Sequence, residues 1–221
     1  MLFSVACFGK TRIGIRVRAN SNYANGISTE NFRTALWMHS YKHSKTYTLN
    51  PYILVEKQLY KEFSLQTGLG YNTEIYTFSF SGIPNSYAVW SSEATYRLSA
   101  RYLSVPLLFT RPLKLYKNLS LLPAAGIENK FAISRKENYQ SVFQEGIYII
   151  SDSYIRRYTL DASISIGVRG TFGSGSAIDV SIFGRRGLTK TFNGHFGFNQ
   201  NLQAARTLYL GLSAVYSLST R

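Results

Sequence analysis

Eight stretches of the chain alternate apolar and polar side chains with a period of two, and this alternation constrains the fold more than any other feature. In TRIGIRVRAN, Ile13, Ile15 and Val17 fall on one parity, and Arg16 and Arg18 fall on the other. A period of two is the geometry of a β-strand with one apolar face. The stretches cover residues 11–20, 47–57, 63–75, 102–109, 119–131, 158–170, 177–184 and 207–218. Most of them have at least the roughly 9 to 11 residues that a tilted strand needs to cross a bilayer.

Short and long connections alternate between these stretches. Short polar pieces such as KQLYKE and GSGS join the second stretch to the third, the fourth to the fifth and the sixth to the seventh. The other four connections, at about residues 24–45, 78–95, 133–152 and 191–204, are long. Tight turns at one end and long loops at the other are typical of outer-membrane barrels, whose short turns are periplasmic.

The predicted fold is an all-β, eight-stranded antiparallel up-and-down transmembrane β-barrel. It forms one domain over residues 11–221, and residues 1–10 are expected to be an N-terminal tail or a signal remnant. The chain lacks an apolar run of about 18 residues, which excludes a transmembrane helix but does not test transmembrane strands. A soluble barrel or sandwich also has one apolar and one polar face, and is the alternative.

The polar face decides between these alternatives, because it combines glycines with charges of both signs. Gly14, Gly68 and Gly126 are poor strand residues on a water-facing surface, but they leave room for long side chains in the narrow lumen of an eight-stranded barrel. The polar face is therefore predicted to point inward, where opposite charges can pair. The predicted lumen charge network is Arg16, Arg18, Glu56, Glu128, Asp161, Arg169 and Asp179. We expect the two arginines of the first strand to reach the carboxylates at positions 128, 161 and 179.

Aromatic residues of the apolar face lie near the ends of the strands. The general preference of aromatic residues for strands explains their number but not these positions. Two aromatic rims around an aliphatic middle are typical of the membrane interfaces of a barrel. The predicted lipid-interface aromatics are Tyr47, Tyr71, Phe131 and Tyr158 toward the long loops, and Phe63, Phe109 and Tyr216 toward the short turns.

One strand contains a proline, Pro106, in the middle of YLSVPLLF. By parity Pro106 faces the lumen. Its missing N–H removes one hydrogen bond between strands unless a bulge absorbs the loss. We therefore expect a bulge beside Pro106.

The segment YLSVPLLF at 102–109, followed by a short turn and PAAGIENKF at 123–131, resembles the outer-membrane β-barrel domain widespread in Bacteroidota. GIRVRANSNY near the start and LGLSAVYSL near the end are similar to that family too. The resemblance implies a small barrel in the outer membrane of a Gram-negative bacterium, and one member group is required for type IX protein secretion. The ending YSLSTR departs from the family, because it lacks a terminal aromatic residue.

Residues that could perform chemistry do not form a recognisable site. His39 and His43 could share a metal ion, but no third ligand follows at a suitable spacing, and His195 stands alone. A lipid-modifying enzyme of the outer leaflet that uses Ser40 with His43, or His195 with a loop serine, is the weakest of three functional hypotheses. We therefore expect no catalytic residue, no metal and no cofactor, and predict that the protein is not an enzyme.

The formal net charge of +14 predicts an acidic partner. Nucleic acid would need basic residues on one continuous face with accessible aromatics, and is not expected. Basic residues instead gather toward the long-loop end, where outer-membrane lipid and the phosphates of lipopolysaccharide are the expected partners. They are Arg33, Lys42, Lys45, Arg97, Arg101, Arg135, Lys136, Arg156, Arg157, Arg185, Arg186, Lys190 and Arg206.

The main functional hypothesis is a non-enzymatic barrel that acts as a membrane anchor or partner-binding component, with a protein partner held through loops or periplasmic turns. A secretion or envelope complex would supply such a partner. The alternative is a narrow channel or small-solute transporter, which requires an unfilled lumen.

Overall fold

The computed structural model describes residues 9–25, 40–44, 46–60, 62–84, 90–141, 145–148, 155–173, 175–192 and 206–220. These residues form eleven β-strands, which we number in chain order. The strands are β1 (Thr11–Asn25), β2 (Ser40–Ser44), β3 (Thr46–Tyr60), β4 (Phe63–Pro84), β5 (Trp90–Thr110), β6 (Leu113–Tyr116), β7 (Leu119–Ser141), β8 (Glu145–Tyr148), β9 (Tyr158–Thr171), β10 (Ser176–Gly187) and β11 (Arg206–Thr220). Among the described residues, no helix is long and apolar enough to cross a membrane.

Eight of the strands close into a ring. β1 pairs with β3 on one side and with β11 on the other, and the ring runs through β3, β4, β5, β7, β9, β10 and β11. Every pairing in it is antiparallel. The short strand β2 pairs with β4 beyond the start of β3, while β6 and β8 pair with β7. Closure leaves the ring without a free edge, as a membrane requires. The predicted eight-stranded barrel is confirmed.

Burial alternates along the strands and puts the charged face inside. In β1, Arg16 retains 7% of its accessible surface and Arg18 2%, whereas Val17 between them is 44% exposed. The outward apolar positions of β9 run from Tyr158 to Val168. They span about 33 Å along the strand, or about 25 Å of height at the usual tilt, which is the height of an outer-membrane apolar band.

Three strands extend far beyond their predicted ends. β4 has 22 residues, β5 has 21 and β7 has 23. Because the β4 and β5 pairing continues to Pro84 and Trp90, most of the predicted loop at 78–95 is a hairpin. The prediction of long loops is wrong there and at the start of 133–152, which belongs to β7. In the extended parts of β4 and β5 the apolar residues change to the inner parity, as at the buried Tyr76 and Leu98, while Arg97 faces outward. The apolar outer face that marks a membrane strand therefore ends before the strand does.

Pro106 is buried toward the lumen, but the bulge expected beside it is absent. The register between β4 and β5 is the same on both sides of the proline, at Thr67 with Leu107 and at Gly70 with Ser104. Between these pairs, residues 68–69 of β4 and 105–106 of β5 are not paired. The missing N–H of the proline therefore interrupts the hydrogen bonding between the two strands without shifting their register. On its other side Pro106 pairs with Glu128 of β7.

The bulge in this part of the barrel lies at Ile133. Tyr102 pairs with Ala132 and Arg101 pairs with Ser134, so Ile133 is an extra residue in β7. An extra residue reverses which side chains face outward beyond it. Lys136 is consequently exposed on the outer wall, opposite Ser99, while Arg135 takes the inner parity and donates a hydrogen bond of 3.0 Å to the carbonyl oxygen of Ile155.

The fold predicts opposite membrane sides for two exposed lysines. Lys190 follows β10 at the end of the long connections, and Lys114 lies in β6 among the short turns. In a Cys7→Ser background, a membrane-impermeant maleimide should label Lys190→Cys on intact cells. Lys114→Cys should be labelled only after the cells are opened. The reverse pattern would overturn the orientation.

Candidate functional site: the charged lumen and the outer wall

Arg169 organises the charge cluster nearest the short turns. Its Nη1 and Nη2 donate to the two carboxylate oxygens of Glu56 at 2.7 and 2.5 Å. Its Nε and Nη2 donate to those of Asp179 at 2.7 and 2.8 Å. The guanidinium thus holds two carboxylates in paired hydrogen bonds, which are the strongest kind available to a side chain. All three residues are buried, so the cluster links β3, β9 and β10 inside the barrel.

Glu128 is the centre of the middle cluster. Its carboxylate accepts from Arg18 at 2.6 Å and from Arg185 at 2.5 Å. It also accepts from the Tyr52 hydroxyl and from Asn72 Nδ2, both at 2.8 Å. The four donors come from β1, β10, β3 and β4, and Glu128 itself lies on β7. One fully buried carboxylate therefore joins five strands across the lumen.

Lys130 organises the third cluster, toward the long connections. Its Nζ lies 2.6 Å from Glu74 Oε1 and 2.8 Å from Asp161 Oδ2. It also donates to the Tyr209 hydroxyl at 2.7 Å. Glu74 accepts hydrogen bonds from the hydroxyls of Tyr209 and Tyr76. The ammonium group thus has two carboxylates and a phenol as neighbours, and all of these side chains are buried.

Two chain segments cover the lumen above this cluster. Ile155 and Phe192 form an isolated bridge, and both are almost completely buried. The Phe192 ring packs edge-on against Tyr76 with 5.2 Å between centroids. The hydroxyls of Thr191 and Thr207 are hydrogen-bonded at 2.8 Å. The described parts of the connections before β9 and after β10 therefore lie over this end of the lumen.

The buried charges of the described residues balance. Five cations and five carboxylates are buried, and all of them face the lumen: Arg16, Arg18, Lys130, Arg169, Arg185, Glu56, Glu74, Glu128, Asp161 and Asp179. Because the interior is neutral in sum, the formal charge of +14 belongs to the rest of the chain.

The structure places all seven residues of the predicted network in the lumen but changes some of their partners. Arg18 reaches Glu128, as expected. Arg16 instead donates to the Gln66 side-chain oxygen, and its Nε and Nη1 have no hydrogen-bond partner among the described residues. The expected carboxylates at 161 and 179 pair with Lys130 and Arg169 instead.

Sequence reasoning missed three charged members of the network: Glu74, Lys130 and Arg185. The first two stood on the polar parity of predicted strands, so the signal was available. Arg185 was assigned to the basic rim, and this is wrong, because β10 continues to Gly187 and its alternation turns Arg185 inward beside Phe183. Continuing the parity of AIDVSIFG by one residue would have found it.

The predicted lipid-interface aromatics all lie on the outer wall with their rings exposed. Three of them form a row on neighbouring strands, which we call the upper aromatic row: Tyr71, Phe131 and Tyr158. Tyr71 and Phe131 both pair with Leu103 of β5, which lies between them, and Phe131 pairs with Tyr158. The rings of Phe131 and Tyr158 are 5.2 Å apart.

The other predicted candidates give no site. His39, His195, Arg33 and Lys45 lie outside the described residues, and His43 lies in β2. Within the described ranges, no group of three or more His, Cys, Asp or Glu side chains could hold a metal ion.

A closed antiparallel barrel with an apolar outer wall and a polar, charge-paired interior defines the class of transmembrane β-barrel proteins. The family model described as outer membrane protein beta-barrel domain matches residues 10–203. The chain therefore belongs to this family, and its location is the outer membrane of a Gram-negative bacterium. No curated protein sequence matches the chain.

Several solved outer-membrane barrels are similar in fold. Ail, the attachment invasion locus protein of Yersinia pestis, solved with the heparin analogue sucrose octasulfate, is 11% identical, with a TM-score of 0.38 and 95% of this chain and 99% of Ail covered. Neisserial surface protein A is 7% identical, with a TM-score of 0.45 and coverage of 93% and 95%. OprG of Pseudomonas aeruginosa is 7% identical, with a TM-score of 0.43 and coverage of 95% and 97%.

The Arg169 cluster predicts a large loss of stability on substitution. Arg169→Gln keeps a polar side chain but leaves Glu56 and Asp179 buried without their cation, which should lower the free energy of unfolding by about 3 to 5 kcal/mol. Urea titration of the barrel in lipid vesicles measures this change.

Arg111→Gln is the matched control for Arg169→Gln. Arg111 lies 3.5 Å from Glu62, and these side chains are 52% and 62% exposed. An ion pair so exposed contributes less than about 1 kcal/mol. Equal losses in the two variants would show that the lumen cluster does not support the barrel.

Proposed function

We propose that this protein is a non-enzymatic outer-membrane barrel that serves as a membrane anchor and binds partners through its loops, its periplasmic turns and its outer wall. The observation that supports this proposal best is the filled lumen. Charged side chains from facing strands meet at Glu128, and Phe192 and Ile155 cover the interior above them. A barrel plugged in this way leaves binding to its outside.

The narrow-channel alternative requires a continuous path past these side chains. An eight-stranded barrel is only just wide enough for its own interior residues. Glu128 and Lys130 are held by hydrogen bonds and ion pairs to residues of several strands, so opening a path would break paired charges in a medium where an unpaired charge is costly. The plug therefore favours the anchor.

Two classes of partner fit the anchor. The excess basic charge outside the neutral lumen favours lipopolysaccharide phosphates at the rim. A protein partner, held by the loops or the periplasmic turns, is the second class. The sequence resemblance to Bacteroidota barrels, including those of type IX secretion, makes a secretion or envelope complex the proposed setting.

An enzyme that modifies outer-leaflet lipid is the remaining alternative. Its proposed Ser40 and His43 lie in β2, and the other candidate, His195, lies outside the described residues. That alternative rests on the sequence alone. Lipid A with an altered mass spectrum in cells that express the protein would favour it over the non-enzymatic proposal.

The plugged lumen predicts the absence of steady conductance. The purified full chain, inserted into a planar bilayer, should leave the current at its baseline, while a porin in the same bilayer serves as the positive control. A reproducible conductance step would favour the channel and contradict the anchor.

Binding of a partner predicts co-purification. Cross-linking in intact cells, followed by purification in mild detergent, should recover a specific protein or surface glycolipid with the barrel. Recovery of the barrel alone from cross-linked cells would contradict the partner-binding role.

A further inference from the structure

Three cations stand together on the outer wall of the barrel. Arg97 and Arg101 of β5 and Lys136 of β7 are all exposed, and we call them the cationic triad. Ser99 is the outward residue between the two arginines, and Lys136 pairs directly with it. The Cα atoms of Arg97 and Arg101 are about 13 Å apart, and Lys136 lies beside the midpoint. The three side chains therefore surround one small residue.

None of the three cations forms an ion pair among the described residues. The described ion pairs lie in the lumen or, for Arg111 with Glu62, at the short turns. Short hydroxyl residues flank the cations instead: Thr73 and Ser134 pair with Arg101, and Thr77 pairs with Arg97. Three like charges so close repel one another, and an anion bound among them would offset that repulsion.

The triad begins directly above the membrane's apolar band. Arg101 is the next outward residue of β5 after Leu103, which lies within the upper aromatic row. One such step is about 7 Å along the strand. Aromatic rows mark the level of the lipid head groups. In the proposed orientation this level belongs to the outer leaflet.

The bulge at Ile133 is what assembles the triad. Unbroken alternation after Phe131 would point Arg135 outward and Lys136 into the barrel. The extra residue reverses this arrangement and places Lys136 opposite Ser99. It also leaves Ile133 on the outer wall, 59% exposed, beside Phe131 and below the cations. The site thus combines positive charge above with apolar surface below.

We propose that the cationic triad binds a phosphate group of an outer-leaflet glycolipid of the lipid A type. The arginines supply paired N–H donors for phosphate oxygens, and Lys136 adds a point charge between them. The acyl chains would lie against Leu103, Phe131 and Ile133. This inference rests on the outer-wall binding and the orientation of the proposed function, and it adds the site and the chemistry of the ligand.

The test measures binding of lipid A to the purified full chain in mild detergent by native mass spectrometry. Lipid A with both phosphates should bind the unaltered protein. Arg97→Gln, Arg101→Gln and Lys136→Gln combined should weaken this binding about tenfold or more, because each basic residue near a lipid phosphate contributes to the affinity. The single variant Lys136→Gln should give a smaller loss in the same direction, which keeps the test valid if the triple variant fails to fold.

A matched control removes the same charge elsewhere. Lys57, Lys114 and Lys117 are exposed and lie near the short turns. Changing all three to Gln should leave lipid A binding unchanged. An equal loss in this control would mean that only net charge matters, and would overturn the site.

Two further ligands separate the possible sources of phosphate. Lipid A without phosphates should bind about tenfold more weakly than the phosphorylated form, since it lacks the anion. Inorganic phosphate at the same concentration should not compete, since it lacks acyl chains. Equal binding of dephosphorylated lipid A, or full competition by free phosphate, would overturn the proposal.

The conductance and co-purification experiments on the triad variant separate this inference from the proposed function. If lipid A does not bind, but the bilayer shows no conductance and a protein partner is recovered, the lipid A site is refuted and the proposed function stands. Steady conductance would refute the anchor whatever the triad binds.

Discussion

The pairing of buried charges across the lumen is the constraint on which the rest of the structure depends. An ion in the interior is costly unless an opposite charge and hydrogen bonds compensate it. Glu128 and Arg169 meet this requirement with partners from several strands, so each charge fixes the relative position of strands far apart in sequence. The closed barrel therefore brings these opposite charges together.

Because the charges of the lumen balance, the inner and outer faces of the barrel differ in net charge. The described lumen holds five cations and five carboxylates, so its charges balance. The excess positive charge of the chain therefore lies on the outer wall, the rims and the connections. The outer wall is apolar through the membrane and cationic directly above it, at Arg101 and Lys136. The proposed lipid- and partner-binding role depends on this outer surface.

The bulge at Ile133 has a larger effect on the barrel than Pro106, the residue beside which the sequence predicts a bulge. Pro106 interrupts the hydrogen bonding between β4 and β5 but leaves the register of these strands unchanged. Ile133, an unremarkable residue by composition, shifts the register of β7 and redirects Arg135 and Lys136. Because of the bulge, Arg135 points inward and contacts Ile155, whereas Lys136 joins the cationic triad on the outer wall.

The sequence by itself determined the number of barrel strands, because alternation with a period of two is a local property that survives without tertiary information. The sequence also indicated the direction of each face, because the polar parity combines glycines with charges of both signs. It placed Arg16, Arg18 and Glu128 on the inner face for the same reason. The length of β4, β5 and β7 outside the membrane was missed, because the apolar residues of β4 and β5 change there to the inner parity, as at Tyr76 and Leu98, and the apolar outer face that identified the membrane strands ends. The partner of each charge, as in Lys130 with Asp161, was not predictable either, because shear and side-chain reach decide which residues meet across a lumen. Only the tertiary structure decided that Lys136 faces outward, since a bulge is set by the pairing of two strands and not by either strand alone.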